Sequence, residues 1–452
     1  MKIRNVLLYL ALVIAVLFSI VMSGFLWLNP IYIQRHYQIE KKNQKKNINN
    51  ENIKKKSSNL VYSPTSLVDN KGNASYKLTS EKIDVLQNVL KSIKTWHMTD
   101  LAIENVSKKE YQSYLQIKNS LVLNYSAPVT LSWIKNLFVN DLVTVKKLPK
   151  IMHIVIPYES KKSEIYLLDE NNLQLLKVHI EKQNLKALKK IIKDKNLQKN
   201  QITWQDIDGR CVMYYQNAVQ VPNYSYLLEK QGADIYITRL LGANGSSLIS
   251  SKEQRGKMVY YDGTDKRMII NNQLGMVSYI NYDDERNYHD DKKVMEKNKI
   301  NFTEMLELDL QKLITLGIGL DDLRYDEYNS HNHVIAYRSY INGLPIISDR
   351  LYGTYQLQTI KNGGLRLDFS LYTLQVPVPS QKNSTELVAT KEVLKRLAQY
   401  GYTLDNITDI KMGYSWKPNA ATKEVIDLEP TYFIYYNGIW LNCSEIVKVT
   451  TE

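Results

Sequence analysis

Residues 6–28, VLLYLALVIAVLFSIVMSGFLWL, contain neither a charge nor a proline. A helix rises about 1.5 Å per residue, so a stretch of this length crosses a hydrocarbon core about 30 Å thick. Nothing else in the 452 residues resembles it. A cleavable signal core spans roughly 7–15 apolar residues and ends in small side chains. This run is longer and ends in Phe25, Leu26, Trp27 and Leu28. It reads as an uncleaved, single-pass anchor, with Trp27 and Tyr32 at one membrane interface.

Ala11, Ala15, Ser19 and Ser23 follow one another at i+4 spacing, and Gly24 adjoins the last. Small side chains in such a row let a second helix backbone approach closely, and serine hydroxyls bond across the contact. These five residues are the candidate partner-binding face. Ala and Ser are also common in membrane helices, so composition alone produces such rows.

Charge leaves the orientation open. Lys2 and Arg4 precede the helix, whereas Arg35, Lys41, Lys42, Lys45 and Lys46 follow it. A positive-inside count puts the long part of the chain in the cytoplasm. Long domains, however, translocate largely regardless of charge.

The formal net charge of +13 is concentrated near the start. Residues 29–59 hold eight Lys/Arg against two Glu, and the long remainder is nearly neutral. No concentrated basic face is indicated, which argues against nucleic acid as a partner. Residues 38–59 carry almost no large apolar side chains and read as a basic flexible linker. That linker is either a solvated spacer or a contact for anionic headgroups and wall polymers. Cys211 and Cys443 are too few for a disulfide framework or a zinc site; one disulfide between them is the alternative to the expected two buried or idle thiols.

The remainder alternates helical and strand-like periods, which gives an α+β fold of antiparallel sheets packed with helices. Helices are expected at 80–96, 128–138, 185–195, 226–241, 302–316 and 387–400. Asn301 with Glu304 forms a capping box for the fifth, Leu306, Leu310, Leu313 and Ile314 face its core, and Gly317 stops it. Asp208-Gly209, Asn342-Gly343 and Asn437-Gly438 mark tight hairpins. Leu365, Leu367, Phe369 and Leu371 alternate with Arg366, Asp368 and Ser370, so one face is buried and the other wet. The divisions drawn are a cytoplasmic stub and anchor at 1–28, the linker at 29–59, an N-terminal domain at 60–222, a middle domain at 223–298 and a C-terminal domain at 299–452. The last two share a plan of a helix followed by a meander.

No catalytic constellation emerges: G-x-S-x-G, H-E-x-x-H, Walker A and G-x-G-x-x-G are all missing from the sequence. No cofactor is implied, and no enzyme is expected. His331 and His333, if on a strand, share a face, but no third metal ligand is indicated. Asp283, Asp284, Glu285, Asp290 and Asp291 lack calcium-loop spacing and read as a solvated loop. Trp416 and Trp440 read as core residues.

Several motifs occur in a fixed order: Trp27-Leu28-Asn29-Pro30, Tyr62-Ser63-Pro64-Thr65, Val259-Tyr260-Tyr261-Asp262-Gly263, Tyr340-Ile341-Asn342-Gly343-Leu344-Pro345, Glu429-Pro430-Thr431-Tyr432 and Tyr436-Asn437-Gly438-Ile439-Trp440. In this the chain resembles the YycH (WalH) family over nearly its full length. The resemblance implies one anchor and three extracytoplasmic domains, the last two similar to each other and to the sister protein YycI. It also implies regulation of the cell-wall sensor histidine kinase YycG (WalK), together with YycI, through membrane-helix packing. It brings no catalytic residues. The alternative function is an extracytoplasmic module that binds a wall polymer or lipid, with the helix as a passive anchor.

Overall fold

Leu67 and Val68 are sequence neighbours that enter different hydrophobic cores. The same split recurs in the strands alongside. Leu121, Leu123, Ile154 and Ile156 join Leu67, whereas Val122 and Val155 join Val68. Side chains alternate across a strand, so this sheet is covered on both faces. That explains why the strand Lys150–Pro157 reads as an unbroken apolar run, without the alternation of a half-wet sheet.

The computed structural model describes residues 56–140, 149–160, 162–242, 249–263, 265–282, 301–360 and 364–451. The expected membrane segment at 6–28 and the acidic loop at 283–291 lie outside the described residues. No helix among the described residues is long and apolar enough to cross a membrane. The described chain is mostly sheet with helices, the α+β class expected.

The first sheet has ten strands among the described residues. Its middle runs Gln198–Ile207, Ala74–Thr79, Ser66–Lys71, Ser120–Thr130, Lys150–Pro157, Glu164–Asp169 and Gln174–Glu181. Helices Val85–Ile93 and Leu185–Ile191 bury residues on its Leu67 face. That core continues without a break to helix Phe302–Leu316 and the nine-stranded sheet. The Val68 face takes helix Lys108–Leu115 and merges with the core under a five-stranded sheet that contains Ile407–Pro418 and Val425–Tyr436. In the nine-stranded sheet, Met276–Asn281 pairs with Leu365–Ser370, which joins segments nearly ninety residues apart.

Local signals reproduce well. Asn301 and Glu304 form the capping box, and Gly317 ends the helix at φ 67°. The three hairpin turns adopt paired left-handed conformations, with φ 49° and 81° at Asp208-Gly209. Leu365, Leu367 and Phe369 are fully buried.

Other expectations are corrected. The helix expected at 226–241 is a strand, Tyr224–Lys230, followed by helix Ala233–Leu240. The first half has ladder partners on both sides, Tyr372–Val378 and Val425–Tyr436, and those hydrogen bonds override its helical spacing. Gly232, in the middle of the expected helix, is the N-cap of the real one. The helix expected at 128–138 shrinks to Leu131–Lys135, because the strand before it runs through Thr130. Pro128 sits where the ladder shifts register, the place in a sheet that tolerates a missing N–H. On the 302–316 helix, Ile314 is half-buried and Asp309 takes a place in the buried face. Ser370, expected on the wet face, is also buried. His331 and His333 lie in the turn before strand Val334–Ile341, not on it, and His333 has φ 52°.

Candidate functional site

The stripe of Ala11, Ala15, Ser19, Ser23 and Gly24 lies outside the described residues. Among the described residues no three His, Cys, Asp or Glu side chains are grouped to hold a metal ion. Cys211 and Cys443 are buried free thiols, and burial pushes each up to about 12. The buried polar chemistry instead concentrates along the seam between the first sheet and the C-terminal half.

The described chain opens with a helical turn at 56–61, and Tyr62 N–H donates back to Ser58 O at 2.9 Å. The Tyr62 ring lies 4.5 Å from that of Trp133 and 5.7 Å from that of Tyr325, so it packs both halves at once. Its hydroxyl donates to Leu306 O at 2.5 Å and lies 2.9 Å from the Tyr337 hydroxyl, which in turn reaches Asp309 Oδ2 at 3.1 Å. With the Tyr62 proton on Leu306 O, the single Tyr337 proton serves either Tyr62 Oη or Asp309 Oδ2. Ser57 and Ser58 are buried, so the folded unit begins before the linker was expected to end.

Further along the seam, Asp326 is buried and accepts from Arg338 Nε at 2.8 Å, Lys411 Nζ at 2.9 Å and Tyr340 Oη at 2.5 Å. Burial works to raise its carboxyl, but the Lys411 ammonium and Arg338 guanidinium outweigh it and hold the group below the ordinary range. The neighbouring Glu327 accepts from Arg338 Nη2 and Trp440 Nε1, each at 2.8 Å. Lys411 Nζ stands 4.2 Å above the Trp440 ring. Tyr340 Oη also meets Ser126 Oγ at 2.7 Å, and Arg210 pairs with Asp409 at 3.0 Å. Both contacts tie the first sheet to the C-terminal half. Trp440, expected in the core, is half-buried and bonded to this network; Trp416 stacks on Tyr352 at 4.5 Å.

This arrangement is suited to holding two halves in one register. Asp326 accepts from three donors and Glu327 from two, so both carboxylates serve as fixed acceptors across the seam. Sequence reasoning missed Asp326, Arg338 and Lys411 because nothing local links them. One signal was present: Arg338 interrupts the apolar strand Val334–Ile341, and a charge there needs a partner. Tyr340 and Trp440, from two widely separated motifs, converge on the adjacent carboxylates Asp326 and Glu327.

Comparison with known proteins agrees with this layout. The family described as YycH protein, N-terminal domain, matches residues 3–197, and that described as YycH protein, C-terminal domain, matches residues 244–448. No curated protein matches the sequence. The crystal structure of YycH from Bacillus subtilis superposes with a TM-score of 0.67 at 16% identity, covering 86% of this chain and 97% of that one. An uncharacterized protein from Eubacterium rectale reaches a TM-score of only 0.27 and carries no argument. The two domain matches together span most of the sequence, and the chain belongs to the YycH protein family.

Proposed function

We propose that this protein is a single-pass, extracytoplasmic regulator that modulates a sensor histidine kinase of the YycG (WalK) type, in concert with a YycI-like partner. The observation that carries this reading is the match to both YycH domains in a chain that opens with one apolar, membrane-length segment. In this proposal the Ala11–Ala15–Ser19–Ser23 row, with Gly24, packs against a partner helix in the bilayer. The protein acts by contact and not by catalysis. It shifts the kinase between two states by packing differently on each, and a coupling of about 1–3 kcal/mol changes activity roughly 5–150-fold.

The architecture is compatible with such a role. Tyr62, five residues into the folded unit, touches both halves of the seam. A displacement of the entering segment therefore bears directly on the inter-half contact.

The test replaces residues 6–28 with an unrelated membrane helix of equal length and reads kinase-dependent transcription. Loss of regulation, with the protein still at the membrane, supports the helix as effector. Retained regulation overturns that part and moves the effector surface to the folded unit.

A further inference from the structure

Lys77 stands in strand Ala74–Thr79, opposite Val68 on one side and Asn200 on the other, well inside the first sheet. The residue is 6% exposed. Its Nζ lies 5.7 Å from the centroid of the Tyr215 ring. Among the described residues Lys77 donates no hydrogen bond and pairs with no carboxylate; burial alone acts on it, lowering its pKa to about 8. An ammonium with three donors and no acceptor is a costly thing to bury.

The space beside it explains the placement. A cavity of about 90 Å³ lies between the first sheet and the segments Tyr340–Pro345 and Asp409–Met412. Lys77, Arg210 and Lys411 border it, against the single carboxylate of Asp409, which Arg210 already engages. A water needs only about 10–15 Å³ by a comparable measure, so the cavity accepts several waters or one small anion. A wider cleft of about 400 Å³ shares Thr65, Ser66, Lys77, Tyr340 and Gly343 with it and extends past Asn342 to Arg324, with Glu81, Asp84 and Asp322 also on its wall, so the negative group of a ligand belongs at Lys77 and not in the cleft. A ligand with its charged end at Lys77 has room for its remainder there.

We propose that Lys77 and the cavity between the two halves form a binding site for an oxyanion, the carboxylate or phosphate group of a small ligand. The oxyanion accepts from Lys77 Nζ, among the described residues the one cation of this wall without a carboxylate partner, since Arg210 is paired with Asp409 and Lys411 with Asp326. Because Tyr340 and Lys411 also bond Asp326, occupancy of this site bears on the network that joins the halves. The site stands on its own geometry, whether or not the chain acts on a kinase.

The test is lysine acetylation of the full chain in detergent at pH 8, read residue by residue by mass spectrometry. It is run with inorganic phosphate, with acetate, and with chloride at matched ionic strength. Exposed Lys71 serves as the internal control. At an anion concentration ten times Kd, labelling of Lys77 is expected to slow about tenfold while Lys71 is unchanged. Protection by phosphate alone assigns a phosphate-bearing ligand, protection by acetate alone a carboxylate, and protection by both a general oxyanion site. The Lys77→Met variant, followed by thermal unfolding, is expected to lose the anion-dependent rise in Tm. No protection of Lys77 by either anion overturns the proposal, as does an equal rise in Tm for Lys77→Met and wild type. The labelling arm needs no variant, so misfolding of Lys77→Met does not block the decision.

Discussion

Arg338 Nε donates to Asp326 Oδ2 at 2.8 Å, with the two side chains only 4% and 0% exposed. This pair lies within the nine-stranded sheet, yet Lys411 from the five-stranded sheet and Tyr340 complete the shell of Asp326. Removing one partner from such a pair leaves a buried charge with less compensation than the fold was built for. Arg338→Met is therefore expected to destabilise the protein by about 3 kcal/mol, the low end for a broken buried pair because Lys411 remains. Denaturant unfolding of the full chain measures it, and a loss below about 1 kcal/mol would rule out the pair as a main seam contact.

Tyr62→Phe keeps the ring between Trp133 and Tyr325 but deletes the hydroxyl that serves Leu306 O and Tyr337. A loss of about 1–2 kcal/mol is expected, since a buried carbonyl loses a donor. Hydrogen exchange should quicken in helix Phe302–Leu316 more than in the far edge of the first sheet. Unchanged exchange in that helix contradicts the coupling.

His153 makes stability depend on acid. It is 1% exposed, both ring nitrogens lack a partner, and it lies edge-on to Trp204. Burial, aided by the Arg210 and Lys108 cations, takes its pKa from 6.5 down to about 3. Between those values the unfolded chain holds a proton that the folded chain refuses. The contribution is complete above pH 6.5 and is lost as pH falls toward 3, at about 1.4 kcal/mol per pH unit. His153→Phe removes this term, so its unfolding midpoint should fall less steeply between pH 7 and pH 5. Parallel profiles for variant and wild type would refute the assignment.

Gly413 is a point of close backbone approach. A Cβ there would stand 2.8 Å from Pro345 O and 3.2 Å from the Phe433 ring. Gly413→Ala is expected to push segment Leu344–Pro345 away from strand Ile407–Pro418 and to cost about 1–3 kcal/mol. The bond from Ile347 N–H to Tyr414 O, 3.0 Å in the native fold, reports on this. Its amide should exchange faster in the variant, and an unaltered rate would show that the wall yields without cost.

The sequence by itself determined whatever depends on a few consecutive residues. Asn301, Glu304 and Gly317 specify the ends of a helix because caps act within one turn. The Asn-Gly and Asp-Gly pairs specify hairpins because only certain residues accept φ above zero. The apolar segment at 6–28 and the order of the family motifs are likewise legible without coordinates. Only the tertiary structure decided that Tyr224–Lys230 is a strand, since its two ladder partners come from residues 372–378 and 425–436. It alone brought Arg338, Asp326 and Lys411 together and left Lys77 beside a cavity whose one carboxylate, Asp409, is paired with Arg210. Burial and charge pairing depend on which distant segments meet, and no local pattern in the chain encodes that meeting.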